Sequence, residues 1–330
     1  LDLVKCYERR YIMQKIKMSN PTNLTLNQAF EMYLKKCKVR NLSDKTILSY
    51  KQINKRFFDF CDPRKRVHTI TEDTIDDYIL WLRDEVQIKD VTINTYLRTL
   101  RAFLYYCMDC GYMESFKIQL CKIEKPIKQT YSDDELERLL EKPNLRKCTF
   151  AEYKTWVFEN YLLATANRIR TALNVRICDV DFSSGFIVLR KTKNRKQQVI
   201  PLSESLSAIL QEYLEIRGGE PEDYLFCNDY GKQSAVRTYQ QLVHNYNLKH
   251  NVNKTSCHLF RHTFAKHWII NGGDIFRLQK IMGHSTLDMT KEYVTLFGND
   301  LQIDFERFNP LDTIKNHEHE GTHISMKKGR

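Results

Sequence analysis

Between Leu24 and Gly111 apolar residues recur every three or four positions, the period of amphipathic helices. Leu26, Ala29, Phe30, Tyr33 and Leu34 form one stripe. Ile47, Tyr50, Ile53, Phe57, Phe58 and Phe60 form a second, opened by Ser43-Asp44 and closed at Cys61-Asp62-Pro63. A third runs from Thr74 to Val86 through Ile75, Tyr78, Ile79, Leu80 and Leu82, and a fourth from Val91 to Cys110, ended by Gly111. Short helices with short connections predict a compact bundle. Over 113–130 the period is lost, and this basic stretch reads as a linker. Order resumes at Ser132-Asp133-Asp134-Glu135, a capping box ahead of Leu136, Leu139 and Leu140.

A long apolar helix is expected from Cys148 to Asn167. The period then shortens to two. Strands over 177–182, 186–189 and 198–202, with a Ser183-Ser184-Gly185 turn, predict a small antiparallel sheet. Helical spacing returns over 203–217, 234–246 and 258–270, where Asn271-Gly272-Gly273 stops it. Further helices are expected from Asp274 to Gly283, around Tyr293, and from Leu301 to Phe308. The fold class is mainly α with a small antiparallel β-sheet (α+β). Its expected divisions are a basic segment (1–20), a helical domain (21–112), the linker (113–130), a second domain (131–310) and a polar tail (311–330). The tail carries His317, His319 and His323, read as solvated.

Composition narrows the function. A chain of 330 residues can bury two cores, and 52 Lys and Arg against 41 Asp and Glu leave a net charge of +11. That excess favours a polyanionic partner. No apolar run of transmembrane length and no signal peptide is visible. The ten cysteines are scattered. The only CxxC, Cys107 to Cys110, lies in a helical pattern without a second pair at zinc-site spacing, so reduced cysteines in a cytoplasmic protein are expected and a metal site is not.

The chemistry gathers between His258 and Tyr293. His258, Arg261 and His262 share a helix face at three- and four-residue spacing. Arg261 offers a fork of donors to a phosphate, and His258 exchanges protons near neutral pH. Gly283-His284 follows, and Tyr293 stands nine residues after that histidine. A tyrosine oxygen among cations suits attack on phosphorus, and nearby cations would favour its phenolate. Taken singly, His-x-x-Arg is usually a solvated pair and Tyr293 an ordinary core tyrosine. The ordered set His-x-x-Arg-His, Gly-His, then Tyr at plus nine is much harder to obtain by accident.

That set resembles the tyrosine recombinase family, which includes phage and conjugative-transposon integrases. The family's first box is an arginine with leucines five and seven positions on, then acidic residues. Arg168, with Leu173, Val175, Asp179 and Asp181, fits that register, and Arg170 does not. Two departures stand out: Ala166 replaces the usual glycine, and Thr171 an acidic residue. The family's catalytic lysine sits in a hairpin eight residues before a proline. Lys193 precedes Pro201 by that interval, with Lys191 and Lys196 as competitors.

The resemblance implies catalytic residues Arg168, Lys193, His258, Arg261, His284 and Tyr293, with no cofactor and no metal. Tyr293 would form a 3′-phosphotyrosyl bond, the arginines would clamp the phosphate, His284 would hydrogen-bond it, His258 would assist proton transfer and Lys193 would protonate the leaving 5′-oxygen. The 21–112 region would be a core-binding domain reading DNA through Lys45, Thr46, Ser49, Thr92, Asn94, Thr95 and Arg98, with Arg237 contributing from the catalytic domain. Implied partners are double-stranded DNA at attachment sites, three further copies in a homotetramer, and an accessory directionality factor. Many such integrases carry another small DNA-binding domain ahead of this region, for which residues 1–20 are too few. The alternatives are a type IB topoisomerase-like enzyme and a non-catalytic DNA-binding protein of the same fold.

Overall fold

The computed structural model describes residues 23–123, 128–190, 197–228, 230–297 and 309. These fall into two compact units, divided between Lys125 and Pro126. The expected helix at 301–308, the segment 1–20, the tail and Lys191, Lys193 and Lys196 lie outside the described residues.

The first unit holds α1 (Leu26–Val39), α2 (Asp44–Phe60), α3 (Glu72–Asp84) and α4 (Asp90–Asp109). Side chains cap free N–H groups at the start of three of these helices. Thr25 and Gln28 form a capping box on α1, Ser43 accepts from the Thr46 N–H on α2, and Thr71 and Thr74 reciprocate on α3. The core is rich in aromatics. Phe103 lies edge-on to Phe30 with centroids 5.1 Å apart, and Phe57 meets Tyr78 at the same distance. Leu80, which the spacing placed inward, is 51 % exposed. It lies about 200° around the helix from buried Tyr78, and α3 turns Ile75, Tyr78 and Leu82 inward instead.

The same core continues past Gly111. Met113 and Ile118 are buried in it, and the Asn94 amide grips the backbone of Cys121. Its Nδ2 donates to the Cys121 carbonyl at 2.9 Å, and its Oδ1 accepts the Cys121 N–H at 2.8 Å. The early part of the aperiodic stretch is therefore packed, non-helical chain. Asn94 corrects the expectation of a DNA-facing side chain, because it is 1 % exposed and both its polar ends are used internally. Asn94→Ala should cost about 1–3 kcal/mol in urea unfolding, since it strands two backbone groups, and should leave the folded protein's DNA affinity unchanged. Weaker binding at unchanged stability would return Asn94 to the interface.

The second unit is built around α6 (Phe150–Thr165), which packs against α5 (Asp133–Leu140), α8 (Glu204–Arg217), α9 (Val236–Lys249) and α10 (Cys257–Ile270). A helix covered on many sides carries apolar residues nearly all round. Two ionisable side chains of the acid and base types, Lys154 and Glu159, are nevertheless buried in α6. Lys154 donates to the Cys227 carbonyl at 3.3 Å. Glu159 is fully buried with neither carboxyl oxygen hydrogen-bonded among the described residues, and burial holds its pKa well above the carboxylate range.

The sheet is antiparallel in the order β1 (Val180–Asp181), β2 (Phe186–Leu189), β3 (Gln198–Pro201). It turns Ile187, Leu189 and Ile200 into the core and leaves Phe186 and Val199 outside. The first expected strand is shorter than its pattern, since 177–179 form a 3-10 turn. The Asp179 side chain accepts the Arg176 N–H at 2.9 Å and pairs with Arg190. Among the described residues no helix is long and apolar enough to cross a membrane. The described cysteines are free, with Cys107 buried and Cys110 exposed.

Candidate active site

Backbone geometry sets the site before any side chain does. Helix α6 ends at Ala166 in the left-handed conformation, φ +52°. Glycine suits such a residue best, and alanine adopts it at a cost of roughly 1 kcal/mol. The position resembling a family glycine is thus one whose backbone favours glycine. The turn aims the Ala166 carbonyl at α10, where it accepts from Arg261 Nη1 at 2.7 Å. Arg168 follows at the start of the short helix α7 (Ile169–Ala172).

Helix α11 (Ile275–Met282) is capped by Asp274 and ends at Gly283, φ +59°. A Cβ there would also approach Gln198 Oε1 to 2.7 Å. Gln198 Nε2 in turn donates to the Lys280 and Ile281 carbonyls, tying β3 to the end of α11. The turn presents His284, and α12 (Asp288–Phe297) brings back Tyr293.

Arg261 sits at the centre, 4 % exposed. Besides Ala166, it donates through Nη2 to the Met282 carbonyl at 2.8 Å and to His284 Nε2 at 2.7 Å. A guanidinium can only donate, so His284 Nε2 is the acceptor and is unprotonated. The ring proton then lies on Nδ1, which donates to Thr290 Oγ1 at 2.8 Å. Three of the five N–H donors of a guanidinium are occupied in this way. Burial and the neighbouring Arg168 lower the Arg261 pKa to about 10, which keeps it charged at neutral pH. Burial also lowers the Arg168 pKa, against an upward pull from Tyr293. Arg168, Arg261 and His284 together line a cavity of about 370 Å³, with Asn167, Gln198 and Lys280 among the other walls.

Tyr293 is 2 % exposed, and its ring packs with Ala166, Ala265, Leu278 and Met282. Its hydroxyl lies 2.7 Å from His262 Nδ1. Lys128 Nζ stands 4.2 Å from the ring centroid and pairs with Glu292 at 2.6 Å. Burial raises the Tyr293 pKa, Glu292 adds to the rise, and Arg261 and Arg168 pull it down without cancelling it. The cations favour the phenolate as expected, but burial outweighs them in the DNA-free protein and the hydroxyl stays protonated. The ring of His258 lies 5.6 Å from that of His262.

Burial, reinforced by His258, Lys128 and Arg261, lowers the His262 pKa to about 4, against a pull from Glu292. Burial, reinforced by Arg261, Arg168 and Lys128, does the same for His284, again against Glu292. Both rings are neutral at pH 7. Unfolded histidine titrates near 6.5, so the unfolded chain takes up protons before the folded one does. Stability should be full above about pH 6.5 and fall steadily towards pH 4. Urea midpoints at pH 7.5 and pH 5 measure this, and His284→Gln should flatten the dependence. An unchanged wild-type midpoint would contradict it.

The structure thus gathers Arg168, Arg261, His284, Tyr293 and the helix turn bearing His258, while Lys193 lies outside the described residues. Reading by motif missed contacts made by His262, Thr290, Lys128 and Gln198. His262 and Thr290 stood within the stretch singled out for its chemistry. Lys128 gave no signal, because its partner Glu292 is 164 residues away. Of the residues expected to face DNA, Lys45, Thr92, Thr95, Arg98 and Arg237 are exposed, and Thr46 and Ser49 are partly so. Thr46 also contributes to the α2 cap through Ser43 Oγ at 2.8 Å. Among the described residues no cluster suited to a metal ion is present.

Comparison with known proteins identifies the family. The pattern of the Phage integrase family matches residues 129–299, and that of the Phage integrase N-terminal SAM-like domain matches residues 30–112. Tyrosine recombinase XerD of Staphylococcus epidermidis is 27 % identical over 297 residues, covering 86 % of this chain and 99 % of the relative. XerD of Pseudomonas aeruginosa is also 27 % identical, covering 82 % and 93 %. The fold is shared with the Tn1549 transposon integrase in complex with transposon right end DNA, at a TM-score of 0.69 and 21 % identity over 82 % of this chain and 94 % of that one. It is shared too with a lambda integrase dimer bound to a core site, at 0.66 and 16 % over 92 % and 100 %. The chain belongs to the phage integrase family of tyrosine recombinases, and it is a tyrosine-type site-specific recombinase.

Proposed function

We propose that this recombinase cuts and rejoins DNA through a 3′-phosphotyrosyl link on Tyr293, integrating or excising a mobile element. One observation carries the reading: the Tyr293 hydroxyl is held beside α10, within the electrostatic reach of both Arg168 and Arg261. Attack joins the phenol oxygen to phosphorus and releases a 5′-hydroxyl. Arg168 and the two remaining donors of Arg261 face the charge that builds on the nonbridging oxygens. His284 braces Arg261 and borders the same cavity, and Lys193 protonates the departing 5′-oxygen. Guanidinium charge meets the electrostatic demand, and the covalent link keeps the energy of the phosphodiester. Rejoining therefore calls on neither ATP nor a metal ion.

In the helical unit, Lys45, Thr46, Ser49, Thr92, Thr95 and Arg98 are available to phosphates and base edges. The same unit holds a groove of about 360 Å³ whose walls include Lys55, Arg56, Asp59 and Tyr96. Arg237 extends this set in the second unit. Exchange between two duplexes uses four tyrosines, which makes the working assembly a homotetramer on attachment-site DNA in the cytoplasm, with an accessory factor setting direction.

The test traps the protein on genomic DNA, sequences the junctions, and uses the recovered duplex for strand exchange in EDTA without ATP. Recombinant joints between two sites are expected. Relaxation of supercoils without exchange would make the enzyme topoisomerase-like, and binding without an adduct would make it non-catalytic.

A further inference from the structure

A tyrosine that stays protonated must lose its proton as it attacks. The side chain on that proton's path is His262. Its Nδ1 lies 2.7 Å from the Tyr293 hydroxyl, a good length for a phenol donating to an imidazole nitrogen. The two rings stand 5.7 Å apart at 44°. The hydrogen bond joins two different helices, α10 and α12, so it is a tertiary contact brought about by folding. Around His262 stand His258 on the same helix, Arg261, Lys128 and Glu292. Burial first, and then these charges, keep the ring neutral, and a neutral imidazole whose Nδ1 accepts from the phenol carries its own proton on Nε2.

We propose that His262 is the proton acceptor of the cleavage step, a part that motif reading had given to His258. The inference rests on Tyr293 being the nucleophile. As the bond from Tyr293 Oη to phosphorus forms, the phenol proton passes to His262 Nδ1. The bond from phosphorus to the 5′-oxygen breaks, and that oxygen takes its proton from Lys193. Rejoining reverses both transfers: the incoming 5′-hydroxyl gives up its proton, and His262 returns the phenol's as Tyr293 leaves. His258, one turn earlier and 5.6 Å ring to ring, lies where it can tune His262.

The test follows single-turnover adduct formation on the recovered duplex, nicked so that the short 5′-hydroxyl fragment diffuses away. His262→Ala removes the ring. His262→Asn keeps a hydrogen-bonding group on the phenol and removes the base, and it guards against a variant that fails to fold. Both should slow cleavage about 10²–10⁴-fold at unchanged DNA binding. Both should regain rate as pH rises, because hydroxide then removes the phenol proton. If His262→Asn stays within a few-fold of wild type, His262 only positions the tyrosine and the proposal falls. A loss in both variants without recovery at high pH also overturns it. Tyr293→Phe is run beside them: if it still forms adduct, the parent reading fails, whereas failure confined to the His262 variants sinks this inference alone.

Discussion

Tyr293→Phe should abolish the covalent protein–DNA adduct and leave a folded protein that still binds DNA. The substitution removes one oxygen and keeps the ring. The ring packs with Ala166, Ala265, Leu278 and Met282, and Lys128 Nζ lies 4.2 Å from its centroid. Phenylalanine keeps both the packing and the π-face. What is lost is the hydrogen bond to His262, worth about 1 kcal/mol and therefore a fall in melting temperature of about 2–4 °C for a unit of this size. The covalent step loses its nucleophile entirely, and adduct on a denaturing gel should drop to background while gel-shift affinity is kept. Persistent adduct would move the nucleophile to another residue. Loss of binding together with adduct would show that the oxygen holds the fold of the site.

The contrast between these two losses shows what a sequence can and cannot convey. The stretch from His258 to Tyr293 is legible because its chemistry is concentrated within a few turns of helix and its glycine marks a turn. The left-handed backbone at Ala166 explains why glycine suits that position, even though this chain departs from it. Residue type misled at Asn94, a polar side chain on an otherwise outward-looking face that is used inside the bundle to anchor Cys121. The state of Tyr293 was only half legible for a related reason. Counting neighbouring cations captures the Coulomb part, but burial is a tertiary property, and here burial wins. Lys128 is the extreme case: no local pattern marks a lysine whose partner is 164 positions away. His262 was visible in the motif, yet only the fold shows that it meets the tyrosine.

Arg261 should be the residue whose replacement damages fold and chemistry together, and the two effects can be separated. Arg261→Ala leaves the Ala166 carbonyl, the Met282 carbonyl and His284 Nε2 without their donor. Those acceptors belong to the end of α6, the end of α11 and the turn after it, so three segments lose their common tie. Stranding such acceptors costs about 1–3 kcal/mol each, which urea unfolding would detect. Cleavage should fall about 10²–10³-fold beyond any loss of folded protein, because a phosphate donor has gone. Arg261→Lys isolates the second effect. The ammonium restores the charge but is a single point, unable to fork between the Ala166 and Met282 carbonyls while still offering donors to the cavity. Stability should therefore recover in part while the single-turnover rate, measured with DNA in excess at a temperature where the variant is folded, stays about 10²-fold down. Near-wild-type cleavage by the lysine variant would mean that positive charge alone suffices at this position and that the planar fork serves only the fold. Cleavage lost in proportion to stability in both variants would confine Arg261 to holding α6 and α11 together.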